Sequence, residues 1–396
     1  MPDLGTHRAT ITAELRTFPE LTHAPGDDAS APVRLVTAPT GDRLWLVTSY
    51  ALGRTVLGDP RFSRAAAVAH GAPRLSDITP ASSAMTSMDG PEHARIRRIV
   101  AGAFSTRRAE ALGPLVERLT DGLLDGLAAQ GPPGDFVTHV AAPLPLSVLC
   151  GLLGIPDEDR DRFRSSVDVL FDINARSPAE KTRQRLMLVH YMTTLIERKR
   201  RCPDDGLMST LIRTRDGQGA LSEHELVNLG LALLMAGYET TVGQIGLTAL
   251  ALLTDHDHRL ALRARGAWTP AAVEEYLRLV PATPLSFPRV ALQDVPLGPV
   301  TVRTGEAAVV SLAGANTDPA VFPDPDAVQE TRPPHLTFGH GAHRCLGAHL
   351  ARLQVATAIG RSLVRFPGLR LAPGDASVRW TSGLATRGLT RLTVTW

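Results

Sequence analysis

The chain has few of the features that mark secreted or membrane proteins. Its 396 residues include only three cysteines, Cys150, Cys202 and Cys345, and so sparse and odd a set argues against a disulfide framework and fits a reducing compartment. No run of about 18 apolar residues predicts a membrane span. The N-terminus lacks the basic-then-apolar plan of a signal peptide. We therefore expect a cytoplasmic protein with no membrane partner.

An excess of charge and the usual metal spacings are also missing. Lys+Arg 42 against Asp+Glu 40 leave a net charge of +2, so no bulk field favours a nucleic-acid partner. No CxxC or HExxH spacing indicates zinc, and no dinucleotide fingerprint or flavin segment is present. Hydrophobic residues at 43% and charged residues at 21% are ordinary for a globular protein. A large core is therefore possible.

The chain contains a mainly helical pattern with a minor β part, and no internal repeat divides it. Residues 221–254 form a long, nearly continuous apolar helix pattern, which predicts burial along most of its course. Residues 34–37 and 44–48 predict a hairpin, and residues 287–312 a strand-rich section. Together these patterns favour one domain over residues 1–396. Shorter helices are predicted over residues 49–57, 91–104, 106–128, 136–153, 157–172, 178–199, 205–213, 256–265, 270–280 and 346–364.

A glycine-rich loop, residues 338–347, brings Cys345 to the start of a helix pattern. Gly339 and Gly341 permit tight backbone angles, and Gly347 omits a side chain where a flat group could press on the helix. Free amides and the dipole at a helix start stabilise a thiolate. Such a thiolate suits an axial ligand of haem iron, because its electron density favours O–O cleavage. The alternative is a buried, inert cysteine.

This loop resembles the haem-binding loop of the cytochrome P-450 family, F-G-x-G-x-H-x-C-x-G, and it matches at Phe338, Gly339, Gly341, His343, Cys345 and Gly347. The resemblance covers nearly the whole chain, from Leu44 to Trp396. It implies the single-domain cytochrome P-450 fold, a triangular prism, mainly α with a minor β part. It also implies a haem b cofactor whose iron is bound by Cys345, with Phe338, His343 and Gly347 against the cofactor.

The long helix carries a second motif at residues 236–241, Ala-Gly-Tyr-Glu-Thr-Thr. Gly237 is a poor mid-helix residue, and the hydroxyl of Thr240 can bond back to the carbonyl of Ala236. We expect Ala236 and Gly237 to leave room for the cofactor and a diatomic ligand. The motif resembles the family's A-G-x-[DE]-T, which implies that Glu239 and Thr240 are catalytic and relay protons. A glycine kink with a capping threonine is the structural alternative.

A third motif, Glu275-x-x-Arg278, places opposite charges on one helix face. Alone it indicates an exposed surface pair. In this context it resembles the family's E-x-x-R, which implies that Glu275 and Arg278 tie their helix to the following meander. The meander departs from the family at Thr317, where arginine is common, and at residues 326–329, which lack an Arg-Phe pair. These departures concern local packing.

Haem propionates require cationic partners when buried. Residues 88–98 resemble the family's D-P-P-E-H-x-x-x-R segment, with Gly90 replacing a proline. The resemblance implies His93 and Arg97 as propionate partners, together with Arg289 and His343. Other arginines are solvated or form a docking patch for an acidic redox protein: Arg95, Arg98, Arg107 and Arg108.

The resemblance also implies a substrate pocket made of mostly apolar or small residues: Met85, Met88, Leu234, Thr283, Leu285, Ser286, Leu384 and Ala385. Such a lining favours a bulky, mostly neutral small molecule. Residues 45–52, 71–75 and 314–319 resemble bacterial members that act on cyclodipeptides. We therefore expect oxidative C–C or C–N coupling of tryptophan-containing diketopiperazines in secondary metabolism.

Three alternatives stay open. The first is hydroxylation or epoxidation of a macrolide, terpene or peptide, and the second is a non-catalytic haem-thiolate sensor. The third is a helical binding protein with an inert Cys345. Because the chain has no flavin or dinucleotide segment of its own, we expect electrons from separate proteins, a ferredoxin and a ferredoxin reductase.

Overall fold

The structure of the protein is a computed structural model. It describes residues 11–23, 28, 30–76, 81–156, 159, 178–218, 221–255, 258–260, 262, 268–329, 331–374, 377–381 and 386–396. In chain order its helices are α1 (Tyr50–Gly58), α2 (Gly90–Ala101), α3 (Thr106–Ala111), α4 (Gly113–Gln130), α5 (Pro143–Leu153), α6 (Pro178–Arg201), α7 (Leu207–Gln218), α8 (Glu223–Thr254), α9 (Pro270–Leu279), α10 (Leu312–Ala315) and α11 (Ala348–Arg365). Residues 11–16 are also helical.

The long helix α8 is the element against which most other helices pack. It begins with a capping box, in which Ser222 and Glu225 satisfy each other's backbone amides at 3.1 and 2.7 Å. Its apolar residues surround the axis, and in its last three turns nearly all are buried. By length and composition α8 could cross a membrane, but 50% of its most apolar window is buried inside the protein. It is therefore a core helix, as predicted.

Two predicted helices are interrupted by proline. Residues 106–128 form two helices, because Pro114 stands in the first turn of α4, where its missing N–H costs nothing. Residues 136–153 begin as a π-helical turn, Val137–Ala141, before α5 starts at Pro143. The predicted helix at 157–172 lies almost wholly outside the described residues, and so does most of that at 256–265.

Three small sheets accompany the helices. Their strands are β1 (Val33–Thr37), β2 (Arg43–Val47), β3 (Phe62–Ser63), β4 (Gly134–Asp135), β5 (Arg289–Ala291), β6 (Val295–Leu297), β7 (Val300–Val302), β8 (Ala307–Val310), β9 (Arg370–Leu371), β10 (Val378–Trp380) and β11 (Leu389–Thr395). The largest sheet has the order β1-β2-β8-β5-β3, with β2 and β8 parallel. The hairpin β1–β2 confirms the prediction, and Gly41 turns it with a positive φ of 85°.

The core is divided between helices and sheet. The main cluster surrounds α8 with apolar side chains of α4–α7, α9, α11 and β11, and two smaller clusters lie on the faces of the large sheet. Burying each leucine or isoleucine contributes about 1.5–3 kcal/mol. The segment between α10 and α11, which contains Cys345, connects the sheet to the helical cluster.

Candidate active site

The Cys345 loop is shaped by two glycines in the left-handed region. Gly339 and Gly341 have φ of 69° and 72°. At Gly341 an added Cβ would lie 2.7 Å from the carbonyl oxygen of Leu57, so only glycine lets the loop approach α1. The amide of Cys345 donates to the carbonyl of Phe338 at 2.8 Å. These constraints fix the cysteine at the start of α11, as the sequence predicted.

The Cys345 thiol is accessible, although protein surrounds it closely enough that burial raises its pKa. A group on the wall of an internal site has both properties. The amide of Gly347 and the cations Arg97 and Arg344 act in the opposite direction and favour the thiolate. Among the described residues, an added Cβ on Gly347 would have the Cys345 sulfur alone within 4 Å, at 4.0 Å. The space above this helix start can therefore accept a flat group.

Ionic contacts around Glu274 support the Cys345 loop through Phe338. The guanidinium of Arg352 lies 4.4 Å from the ring centre of Phe338 and donates to both carboxylate oxygens of Glu274, at 2.5 and 2.8 Å. His335 lies 3.2 Å from the same carboxylate. Although burial opposes ionisation of Glu274, these partners lower its pKa to about 2. Phe338 is thereby held against the core.

The Glu275–Arg278 pair is buried, not exposed. Its two hydrogen bonds measure 2.8 and 2.9 Å, and Arg278 also donates to the carbonyls of Asn316, Pro325 and Ala327 at 3.0, 2.8 and 3.1 Å. The pair therefore joins α9 to the meander, which confirms the structural role predicted for it. A buried pair so completely hydrogen-bonded stabilises the fold chiefly by what its loss would leave unpaired.

A cluster of buried basic side chains lies beside the loop. His93 and His343 stack with ring centres 4.2 Å apart, and Arg289 and Arg64 are 6% and 3% exposed. Burial lowers the pKa of both arginines to about 10. Burial, followed by the nearby Arg289, also lowers the pKa of His343 to about 4. The carboxylate facing this cluster is Asp89, 3.6 Å from His343.

Several hydrogen-bond donors of this basic cluster have no partner. Among the described residues, Nε2 of His93, Nε of Arg289 and Nη2 of Arg64 are buried and have no hydrogen-bond partner. Unpaired buried donors are rare and costly, and two propionates would satisfy them. The residues present therefore fit haem. No group of three potential metal ligands converges within the described part of the chain.

Arg64 was not among the propionate partners predicted from the sequence, and Arg97, one of those that were, is engaged with the Cys345 loop. Arg64 lies in an irregular stretch without a motif and is placed by hydrogen bonds to the carbonyls of Thr86, at 3.0 Å, and Pro288. Arg97 donates to the carbonyl of Arg344 and so also supports the loop. Its contact with a propionate stays a prediction.

In the long helix, the hydroxyl of Thr240 donates to the carbonyl of Ala236 at 2.7 Å, as predicted. Ala236 is exposed in the middle of a core helix and so faces open space. An added Cβ on Gly237 would face α5, 3.0 Å from Leu149, and the room predicted for the cofactor beside Gly237 stays a prediction. Burial raises the pKa of Glu239, whose carboxylate accepts a hydrogen bond from Thr386 at 2.5 Å.

The predicted substrate pocket needs correction. Leu234 and Leu285 are 0% and 1% exposed and belong to core clusters, and Met88 is 7% exposed; these three side chains are not available to an incoming molecule. Leu384 and Ala385 lie outside the described residues. Partly accessible members of the predicted set are Met85, Thr283 and Ser286, although the Ser286 hydroxyl accepts from the amide of Val310 at 3.0 Å.

Two accessible side chains near the site lie in stretches expected to line the pocket, residues 233–240 and 282–287, but were not named among its residues. Met235 and Phe287 are 36% and 47% exposed, and the guanidinium of Arg64 lies 4.9 Å from the ring centre of Phe287. Each is adjacent in sequence to a site residue, Ala236 or Ser286. Large exposed apolar side chains are a feature of binding sites, and their exposure was not visible in the sequence.

Comparison with known proteins agrees with this geometry. The family model "Cytochrome P450" matches residues 267–374. The mycinamicin IV hydroxylase/epoxidase of Micromonospora griseorubida is 42% identical over 369 residues, 92% of each chain. The nocardicin C N-oxygenase of Nocardia uniformis subsp. tsuyamanensis is 40% identical over 372 residues, 93% of each.

Solved structures extend the agreement to three dimensions. The LnmA cytochrome P450 hydroxylase from the leinamycin biosynthetic pathway of Streptomyces atroolivaceus superposes with a TM-score of 0.86 at 41% identity, covering 97% of this chain and 95% of that one. The fold, the cysteine loop and the relatives lead to one assignment. The chain belongs to the cytochrome P450 family, oxidoreductases whose cofactor is a cysteine-ligated haem b.

Proposed function

We propose that this protein is a monooxygenase that hydroxylates or epoxidises a bulky, mostly neutral natural product, with Cys345 as the iron ligand. The observation that carries the proposal is the acid–alcohol pair of α8: a half-buried Glu239 whose pKa is raised by burial, next to Thr240. A raised pKa favours the protonated form of a carboxyl group, which is the form that acts as a general acid. A protein that only senses or stores a ligand has no need of such a pair.

The chain's own residues divide the work. Bound haem supplies the activation of dioxygen, and Cys345 supplies its thiolate ligand. Arg64, Arg289 and His93 hold the propionates through their spare donors. Thr240 donates to Ala236, so its oxygen keeps lone pairs that can accept from a water. Glu239 passes protons to that water.

Oxygen insertion is better supported than the cyclodipeptide coupling suggested by sequence resemblance. Relatives about 40% identical are named as a hydroxylase/epoxidase and an N-oxygenase. The stretches that resembled coupling enzymes also hold mainly structural residues. In residues 45–52, Leu46 and Val47 are 1% and 0% exposed. In residues 314–319, the Asn316 side chain bonds to Arg278 and Thr337 at 3.2 and 2.8 Å.

The test is product mass spectrometry with the haem-loaded enzyme, a ferredoxin, its reductase, NADPH and ¹⁸O₂. The panel contains mycinamicin IV and other macrolides, a terpene acid and tryptophan-containing cyclodipeptides. We expect a product that carries one ¹⁸O atom. A dimer lacking two hydrogens and containing no ¹⁸O would support coupling instead. No turnover of any compound by the reduced enzyme would favour the sensor.

The proposed electron donor is a ferredoxin, reduced by a ferredoxin reductase in the cytoplasm. Exposed arginines lie around the Cys345 loop: Arg98, Arg107, Arg108 and Arg344. The hydrogen bond between Thr106 and His349, 3.2 Å, places the first turn of α3 beside the start of α11. A basic surface here would attract an acidic protein to the side of the site where the thiolate lies.

A further inference from the structure

The acid of the relay is tied to a distant part of the chain. The hydroxyl of Thr386 donates to Oε1 of Glu239 at 2.5 Å, across 147 residues. Among the described residues, Thr386 is the hydrogen-bond partner that the Glu239 carboxylate has. A half-buried carboxylate with one partner depends on that partner for its orientation.

The segment that carries Thr386, residues 386–388, is fixed against α8 by two glycines. An added Cβ on Gly388 would lie 2.9 Å from Cα of Gly243, and one on Gly243 would lie 2.9 Å from the carbonyl oxygen of Arg387. The two backbones are therefore in direct contact, one helical turn beyond Glu239. A side chain at Gly243 or at Gly388 would push this segment away from the helix.

Hydrogen bonds to Ala282 and Thr381 hold the same segment in place. The amide of Arg387 donates to the carbonyl of Ala282 at 2.7 Å. Thr381 and Gly388 are joined by bonds of 2.9 Å from each amide, one to a carbonyl and one to the Thr381 hydroxyl. Thr386 thus extends from a backbone that is fixed immediately after it.

The Arg387 side chain connects residues 386–388 to the N-terminal segment around Glu14 and Phe18. It donates to the carbonyl of Glu14, and its guanidinium lies 4.9 Å from the ring centre of Phe18. The Arg387 side chain is 12% exposed, so its contacts with this segment are largely shielded from water, and burial lowers its pKa. The hydroxyl that meets Glu239 therefore belongs to a support built from three separate parts of the chain.

We propose that Thr386 is a positioning residue of the proton relay: it holds the Glu239 carboxylate beside Thr240 and sets the pH range in which that carboxyl group donates. The inference rests on the proposed function, because Thr386 acts through Glu239. A hydroxyl that donates to a carboxylate favours the charged form and opposes the effect of burial. Without it, Glu239 would stay protonated to higher pH and its carboxyl group would turn freely.

The first measurement is an infrared titration of the carboxyl band of Glu239 in the haem-loaded, reduced, carbon monoxide-bound protein. The band is assigned by its disappearance in Glu239→Gln. We expect Thr386→Val to raise the titration midpoint by about 1 pH unit, and Thr386→Ser to leave it unchanged. Thr390→Val is the matched control, since Thr390 is exposed on the following strand. A wild-type midpoint in Thr386→Val would overturn the inference.

The second measurement separates the inference from the function beneath it. Hydrogen peroxide released per NADPH oxidised is measured with mycinamicin IV as the probe. We expect the ratio to rise in Thr386→Val toward that of Glu239→Gln. If Glu239→Gln raises the ratio and Thr386→Val does not, the inference fails and the relay stands. If Glu239→Gln itself leaves the ratio unchanged, both fail. Thr386→Ala replaces Thr386→Val if the latter does not retain haem.

Discussion

Two carboxylates of this protein, Glu275 and Glu239, differ in their burial and in their number of partners. Glu275 is 3% exposed and meets Arg278, Arg332 and the amide of Gln329, at 2.8, 3.5 and 3.0 Å. Glu239 is half-buried, and its described hydrogen bond comes from Thr386 alone. The first has several cationic and amide partners, which fix it in place. The second has one neutral partner, and burial raises its pKa.

The difference separates structure from chemistry within a single site. Around Cys345, the charged groups Glu275, Arg278 and Glu274 are matched, so this side fixes the loop that holds the iron ligand. On α8, burial raises the pKa of a carboxyl group, which favours the protonated form that a general acid needs. Perturbed ionisation with few partners is typical of catalytic groups. Substitutions on the two sides should therefore fail in different ways.

The largest effect is expected where a buried charge is left alone. Glu275→Gln removes the negative partner of Arg278, which has no exposed surface, and should cost about 3–5 kcal/mol of unfolding free energy. Denaturant unfolding of the haem-loaded protein, with haem content per chain, measures it. Glu110→Gln, at an exposed residue of α3, is the control. A loss below about 1 kcal/mol would mean that Glu275 is not the structural carboxylate.

Glu239→Gln should lower activity and leave stability intact. We expect product formation per haem to fall about 10²-fold, because general acid assistance is lost, while the unfolding free energy at pH 7 does not decrease. Thr240→Ala should likewise consume electrons without a matching yield of product. The measurement is product against NADPH oxidised. Wild-type coupling in both variants would remove the relay.

The basic surface should affect rate alone. Reversing Arg107 and Arg108 to glutamate is expected to slow ferredoxin-dependent reduction about tenfold at low salt, with a smaller difference at high salt. Stopped-flow reduction measures this. The double variant Arg370→Glu, Arg391→Glu is the control, because it makes the same charge change at exposed residues on strands β9 and β11. Equal slowing by the control would indicate net charge, not a docking surface.

The smallest effects are in the pH dependence of stability, and their signs differ. Glu274 has its pKa lowered to about 2, so its contribution is present above about pH 4.5 and is lost as pH falls toward 2. Glu239 has a raised pKa, so its contribution favours folding at low pH and is lost as pH rises through that pKa. Unfolding curves of each Gln variant against pH check both. The same sign for both would contradict the contrast.

The sequence was most informative where a site is built from neighbouring residues. The Cys345 loop, the hydroxyl of Thr240 and the Glu275–Arg278 pair each depend on spacings of a few residues. The long helix was predictable because it is apolar all round. The same feature hid its orientation. With no polar face to orient it, Leu234 and Ala236 could not be separated, although two residues place them about 200° apart.

Contacts between distant segments were not predictable. Arg64 meets Pro288 across 224 residues, and Thr386 meets Glu239 across 147. No motif contains both members of either pair. The exposure of Phe287 and the burial of Leu285 likewise depend on how β5 enters the sheet, which a run of alternating apolar residues does not determine. Substrate-facing residues were therefore the part of the site that was hardest to predict from the sequence.

The contrast between the two carboxylates is tested most directly by one measurement: product formed per NADPH oxidised, at equal haem concentration, in Glu275→Gln and Glu239→Gln. The compound is the panel member with the highest turnover. We predict that the Glu275→Gln molecules which retain haem couple as wild type does, and that Glu239→Gln loses most of its coupling. Equal coupling in the two variants, whether high or low, would contradict the account.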